Sequence, residues 1–205
     1  MNIESIVTNR DYTLIIDKSG SLNSDDGTGK TRWEIAQEST IALAQKCDEL
    51  DSDGITVYLF SGRFRRYDNV NSDKIREIYA QNEPMGSSDL KSVLQDALDN
   101  YFQRKAEGKA KENGETILVI TDGIPDEPKE IIRLIINASQ KIDRDEELGI
   151  SFIQIGQDAK AKEYFKALDD LLQEAGAKFD IVDTITMDDL DNMSLTDVLL
   201  NAVID

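Results

Sequence analysis

Apolar and polar positions split the chain into short apolar runs and longer stretches of helical spacing, which alternate from end to end. The runs at 11–17, 55–60, 116–121 and 150–155 stay apolar on both faces, which predicts buried strands. A shorter run at 179–182 predicts a last strand. Residues 64–70 alternate less cleanly and, with Arg63 just before them, carry Arg65 and Arg66. They predict an exposed edge strand, paired as a hairpin with 55–60 and guarded by its arginines. Helical spacing marks 32–50, 73–80, 90–105, 127–142, 158–175 and 194–203. Ser88 or Asp89 is expected to cap the helix at 90, and Ser194 or Thr196 the last one. Gly176 is a C-terminal stop for the helix at 158–175. Polar stretches at 22–31 and 104–114 read as loops. The expected fold class is α/β: a three-layer α/β/α, doubly wound, mostly parallel six-stranded sheet with one antiparallel edge strand. No repeat or linker divides the chain, so a single domain over 1–205, with its core at about 10–203, is expected.

The first apolar run ends abruptly in Asp17-Lys18-Ser19-Gly20-Ser21. Ligands of open α/β sheets bind outside the carboxyl ends of the strands. If the turn stays extended, alternate residues share a face. Asp17, Ser19 and Ser21 then converge, and one charged with two neutral oxygens is the chemistry of a hard cation. Lys18, between them, is expected to point away.

Composition narrows the field. The formal net charge is −18. Phosphate and anionic-membrane recognition need clustered Lys and Arg, so neither nucleic acid nor membrane is an expected partner. Acidity also concentrates divalent cations near the surface. There is no histidine, which removes His-based triads and His-ligated zinc, and one cysteine, Cys47, which removes any internal disulfide. Cys47 lies among Ala44, Leu43 and Leu50, so a buried helix position is expected. The start of the chain has no basic region leading into an apolar segment, and no run approaches a spanning helix. A soluble, cytoplasmic, monomeric protein of bacterial type is expected.

Two further loops carry Gly86-Ser87-Ser88-Asp89-Leu90 and Thr121-Asp122-Gly123-Ile124-Pro125. Together with Asp17-x-Ser19-x-Ser21, in this order and spacing, they resemble the von Willebrand factor type A (VWA) domain and its metal-ion-dependent adhesion site. The resemblance spans about 10–203. The family's first motif is met by Asp17, Ser19 and Ser21. Its second, a threonine after a small-residue turn, has Ser88 in that place, and its third is met by Asp122. Arg32-Trp33-Glu34 and the Asp-Gly-x-Pro loop look most like intracellular bacterial members linked to tellurium resistance. The resemblance implies a Mg²⁺ (or Mn²⁺ or Ca²⁺) ion held by Asp17, Ser19, Ser21, Ser88 and Asp122. In the family an open metal position takes an acidic side chain from a partner. Serine at 88 keeps the hydroxyl but loses the methyl that restricts χ1.

The reading is of a binding module for a Glu or Asp of another protein, not an enzyme. A metal-dependent phosphohydrolase and a domain with a vestigial site are the alternatives. Other patterns fail on chemistry. Gly27-Thr28-Gly29-Lys30-Thr31 lacks the leading glycine of a phosphate loop and follows Asp25 and Asp26. The loop at 49–54 has Phe60 where a calcium loop needs its last Glu. An aspartyl-phosphate start would need an acid at 19. Asp126 and Glu127 are read as surface acids on the rim.

Overall fold

The structure, a computed structural model, describes residues 4–204. Its centre is a six-stranded sheet of order β3-β2-β1-β4-β5-β6. The strands are β1 (Asp11–Asp17), β2 (Ile55–Phe60), β3 (Phe64–Val70), β4 (Glu115–Thr121), β5 (Leu148–Gln154) and β6 (Val182–Thr186). Only the β2–β3 pair is antiparallel. The helices are α1 (Glu4–Val7), α2 (Arg32–Leu50), α3 (Ser72–Ala80), α4 (Leu90–Ala106), α5 (Pro128–Ser139), α6 (Ala159–Asp170), α7 (Met187–Asn192) and α8 (Leu195–Asn201).

Strand parity divides the core. Ile15, Ile117, Val119 and Phe152 turn to the layer of α4, α5 and α6. Leu14, Ile16, Leu118, Ile120 and Ile153 turn to that of α2, α3 and α8. Both faces are covered, which is why these strands read as continuous apolar runs. The chain leaves β1 for β2 on one side and later returns to β4 on the other. The strand order therefore reverses between β1 and β4, and that switch point opens a crevice at their carboxyl ends.

Caps set the helix starts. Thr31 and Glu34 form a reciprocal capping box on α2. Asp89, not Ser88, caps α4, accepting the Ser92 N–H at 3.1 Å. Ser194 caps α8. Cys47 is buried and free, as expected.

Three expectations shift. The last strand runs over Val182–Thr186, not 179–182. As an edge strand it buries Val182 and Ile185 but carries Asp183, Thr184 and Thr186, so a search for a continuous apolar run misplaces it. Helix α6 stops at Asp170; residues 171–176 continue as hydrogen-bonded turns ending at Gly176, whose φ of +110° suits only glycine. The short α7, started by a Thr186–Asp189 capping box, was not expected. Among the described residues no helix is long and apolar enough to cross a membrane.

Candidate functional site

Strand β1 delivers Asp17 to the switch point, and the chain then turns through a short 3₁₀ segment, Gly20–Asn23. The Ser19 N–H donates to Oδ1 of Asp17 at 2.7 Å. That bond folds the two serines back over the carboxylate, and their hydroxyl oxygens lie 3.1 Å apart. Ser21 donates to Oδ1 of Asp122 at 2.8 Å, across the switch point. Ser88 donates to Oδ2 of Asp17 at 3.3 Å. All five residues expected at the site are thus linked in one chain of hydrogen bonds, Ser88 to Asp17, Asp17 to Ser19 through the Ser19 backbone N–H, Ser19 to Ser21 and Ser21 to Asp122.

The surrounding backbone fixes these positions. The Met85 N–H donates to the Lys18 carbonyl at 2.7 Å, and the Gly20 N–H to the Gly86 carbonyl at 3.1 Å. The second loop is therefore tied to the first. Asp126 grips Ser88 from the other side: its N–H donates to the Ser88 carbonyl, and its carboxylate accepts the Ser88 N–H, each at 3.3 Å. Because Asp89 does the capping, the Ser88 hydroxyl is left to face Asp17.

Two residues that the sequence reading did not assign to the site join it. Register pairs Ile16 with Ile120, so the next residues along, Asp17 and Thr121, are neighbours. The Thr121 hydroxyl donates to Oδ2 of Asp17 at 2.7 Å. Arg32, the first residue of α2, donates to Oδ2 of Asp122 at 2.9 Å. Asp126, exposed as expected of a surface acid, also tethers Ser88.

Asp17 and Asp122 are 1% and 2% exposed, whereas Ser88 is half-buried and Ser21 is exposed. The cluster is sealed from below and opens to solvent on the Ser21 side. Burial pushes the Asp17 carboxyl up, against the hydrogen bonds from Thr121 and Ser19; the nearby charge of Asp122 adds to the rise. Burying two neighbouring carboxylates is costly, and Arg32 offsets part of that cost on Asp122. Among the described residues no group of three or more His, Cys, Asp or Glu side chains is placed to hold a metal. The donors here are instead three hydroxyls and two carboxylates, all hard oxygens of the kind Mg²⁺ and Ca²⁺ take, and the set fits such an ion. The rim carries exposed apolar side chains, Met85 at 63% and Ile124 at 42%.

A family model described as the von Willebrand factor type A domain matches residues 12–124, more than half of the chain and the stretch within which the five residues lie. The chain belongs to this family. No curated protein matches the sequence. Solved structures resemble this VWA chain in fold at low sequence identity. The PilB minor pilin of Streptococcus sanguinis aligns over 94% of the chain at 14% identity with a TM-score of 0.64; the chain spans 60% of that protein's length. The manganese-loaded Plasmodium vivax TRAP protein aligns over 96% at 14% identity, TM-score 0.60, with 75% of its own length covered. A von Willebrand factor type A protein from Catenulispora acidiphila aligns over 94% at 18% identity, TM-score 0.57, with 41% of its length covered.

Proposed function

We propose that this VWA chain is a divalent-metal-dependent binding module that captures a Glu or Asp side chain of a partner protein. The observation that carries the reading is the gathering of Asp17, Ser19, Ser21, Ser88 and Asp122, from three distant loops, into one set of oxygens open to solvent on a single side. Asp17, Ser19, Ser21, Ser88 and Asp122 would hold the ion. When bound, a hard dication supplies an electrophilic position that an incoming carboxylate can occupy. Thr121 orients Asp17, and Asp126 orients Ser88. Met85 and Ile124 supply apolar surface beside the opening, where residues flanking the captured acid would lie. The manganese-loaded TRAP structure shares the fold, which is compatible with this reading.

Mg²⁺ is the first candidate, with Mn²⁺ or Ca²⁺ as alternatives. A monomeric, cytoplasmic bacterial protein of the tellurium-resistance-linked type, with neither nucleic acid nor membrane as partner, belongs to the same proposal. The chain's acidity implies a partner that is acidic locally and neutral or basic elsewhere, since like charges repel at long range.

The test is metal-dependent capture of a partner on immobilised protein with Mg²⁺ or with EDTA. Capture by the wild type in Mg²⁺ only, and its loss in an Asp17→Ala, Ser19→Ala double variant with an unchanged circular dichroism spectrum, is expected. Equal capture by the double variant refutes the proposal.

A further inference from the structure

Arg32 touches the candidate site without being an oxygen donor. It is the first residue of α2, where the exposed N–H groups favour negative charge, so a cation there gains nothing from its own helix. Its guanidinium instead reaches Oδ2 of Asp122 at 2.9 Å. That carboxylate is buried, and its other oxygen already accepts from Ser21. The arginine is seated rather than loosely extended. Its Nε is buried and lacks a hydrogen-bond partner, and a Cβ added to Gly156 would come within 2.8 Å of that nitrogen. Gly156, just beyond β5, has φ +78°, so the backbone that forms this bed also calls for glycine.

Charge arithmetic gives the consequence. A dication with Asp17 and Asp122 sums to zero; with Arg32 on Asp122 the sum is +1. Arg32 therefore opposes the ion in two ways, by repulsion and by occupying one Asp122 oxygen. It favours an incoming carboxylate, because the loaded centre stays positive in a chain of net charge −18. We propose that Arg32 is a specificity-determining residue that shares Asp122 with the metal. It weakens metal binding while strengthening capture of an anionic side chain. This rests on the metal-site reading above.

The test uses Mn²⁺ alone and then acetate as the anionic probe. Free Mn²⁺ is followed by electron paramagnetic resonance in wild type, Arg32→Gln, Arg32→Lys and Asp17→Asn, and acetate binding to the loaded proteins by water-proton relaxation. Arg32→Gln is expected to bind Mn²⁺ about tenfold more tightly, a change of the size that loss of a supporting outer-sphere partner makes but opposite in sign, because Arg32 opposes the ion. Its loaded form is expected to bind acetate several-fold more weakly. Arg32→Lys, which keeps the charge, should recover most of both wild-type values, separating charge from packing. Unchanged or weaker Mn²⁺ binding in Arg32→Gln, or both affinities moving the same way, overturns the role of Arg32 and leaves the metal site standing. Wild-type Mn²⁺ binding that Asp17→Asn does not reduce removes the metal site itself, and the role of Arg32 with it.

Discussion

Thr121 donates its hydroxyl to the same oxygen of Asp17 that Ser88 reaches, at 2.7 and 3.3 Å respectively. One oxygen of the buried carboxylate thus holds the end of β4 and the second loop together, while the other holds the Ser19 backbone. Thr121→Val keeps the shape and removes the donor. Leaving a buried acceptor short of a partner costs about 1–3 kcal/mol. The variant is expected to be less stable by that amount, melting at a lower temperature, and to bind Mn²⁺ at least several-fold more weakly, with Thr121→Ser close to wild type. Calorimetric titration and thermal melts together check it; an unaltered Mn²⁺ affinity in Thr121→Val would show that Thr121 does not orient Asp17.

Ser88 offers a graded test. Ser88→Ala removes a donor and should reduce metal affinity, whereas Ser88→Thr keeps the hydroxyl and narrows χ1 to fewer rotamers. A few-fold tighter Mn²⁺ binding in Ser88→Thr is the expected outcome, because less side-chain freedom is lost on binding. The Asp126 tether holds the backbone of Ser88 in either variant.

The apolar rim separates partner capture from metal binding. Met85 is 63% and Ile124 42% exposed, so both have apolar surface left to bury. If each buries half its side chain against a partner, about 1 kcal/mol apiece is at stake. Met85→Ser with Ile124→Ser should weaken metal-dependent capture about thirtyfold by the same arithmetic. Mn²⁺ affinity should not change. A loss of Mn²⁺ binding would mean that these loops shape the metal site and not the contact surface.

At the amino ends of the strands, the Asp51 carboxyl is pushed up to about 6, first by burial and then by neighbouring Asp53, against the pull of Lys111. Asp53, exposed on the same lysine, is drawn down to about 2 by its hydrogen bonds to Asp51 and Lys111. A group raised in the folded state stabilises below its unfolded value, and that stability fades as pH rises through its folded value. Asp51 therefore adds stability on acidification from pH 7 to 4.5, by about 1–2 kcal/mol. The Asp53 contribution persists over that range and is lost only towards pH 2. Urea unfolding of wild type and Asp51→Asn at the two pH values reads this directly. The wild type should gain relative to the variant at pH 4.5; superimposable pH dependences would refute it.

Periodicity carried most of the fold. Continuous apolar runs placed β1, β2, β4 and β5 because both of their faces are covered, and the arginine-bearing 64–70 segment is the antiparallel edge strand. The final strand escaped because an edge strand needs only two buried positions, Val182 and Ile185. Asp17, Ser19 and Ser21 converge as expected, but through the Ser19 N–H bond and a 3₁₀ turn at Gly20–Asn23, not through the extended turn that alternate spacing assumes. Thr121 was not legible as a site residue, since its partner is set by parallel register, which local spacing does not encode. Arg32 read as a helix start and part of a subfamily pattern, not as a site residue, because its partner Asp122 lies 90 residues further on. Ser88 and Asp89 were equivalent as caps until the Asp89 carboxylate was seen to accept the Ser92 N–H.

The central claim is a hard cation at the switch point between β1 and β4. An anomalous difference map from a crystal soaked in Mn²⁺ tests it most directly. The account predicts one strong peak in contact with the hydroxyls of Ser19 and Ser21 at about 2.0–2.6 Å, the span of hard-cation–oxygen distances, with Asp17, Ser88 and Asp122 around it. No peak there, or the strongest peak on some other acidic surface, would contradict it.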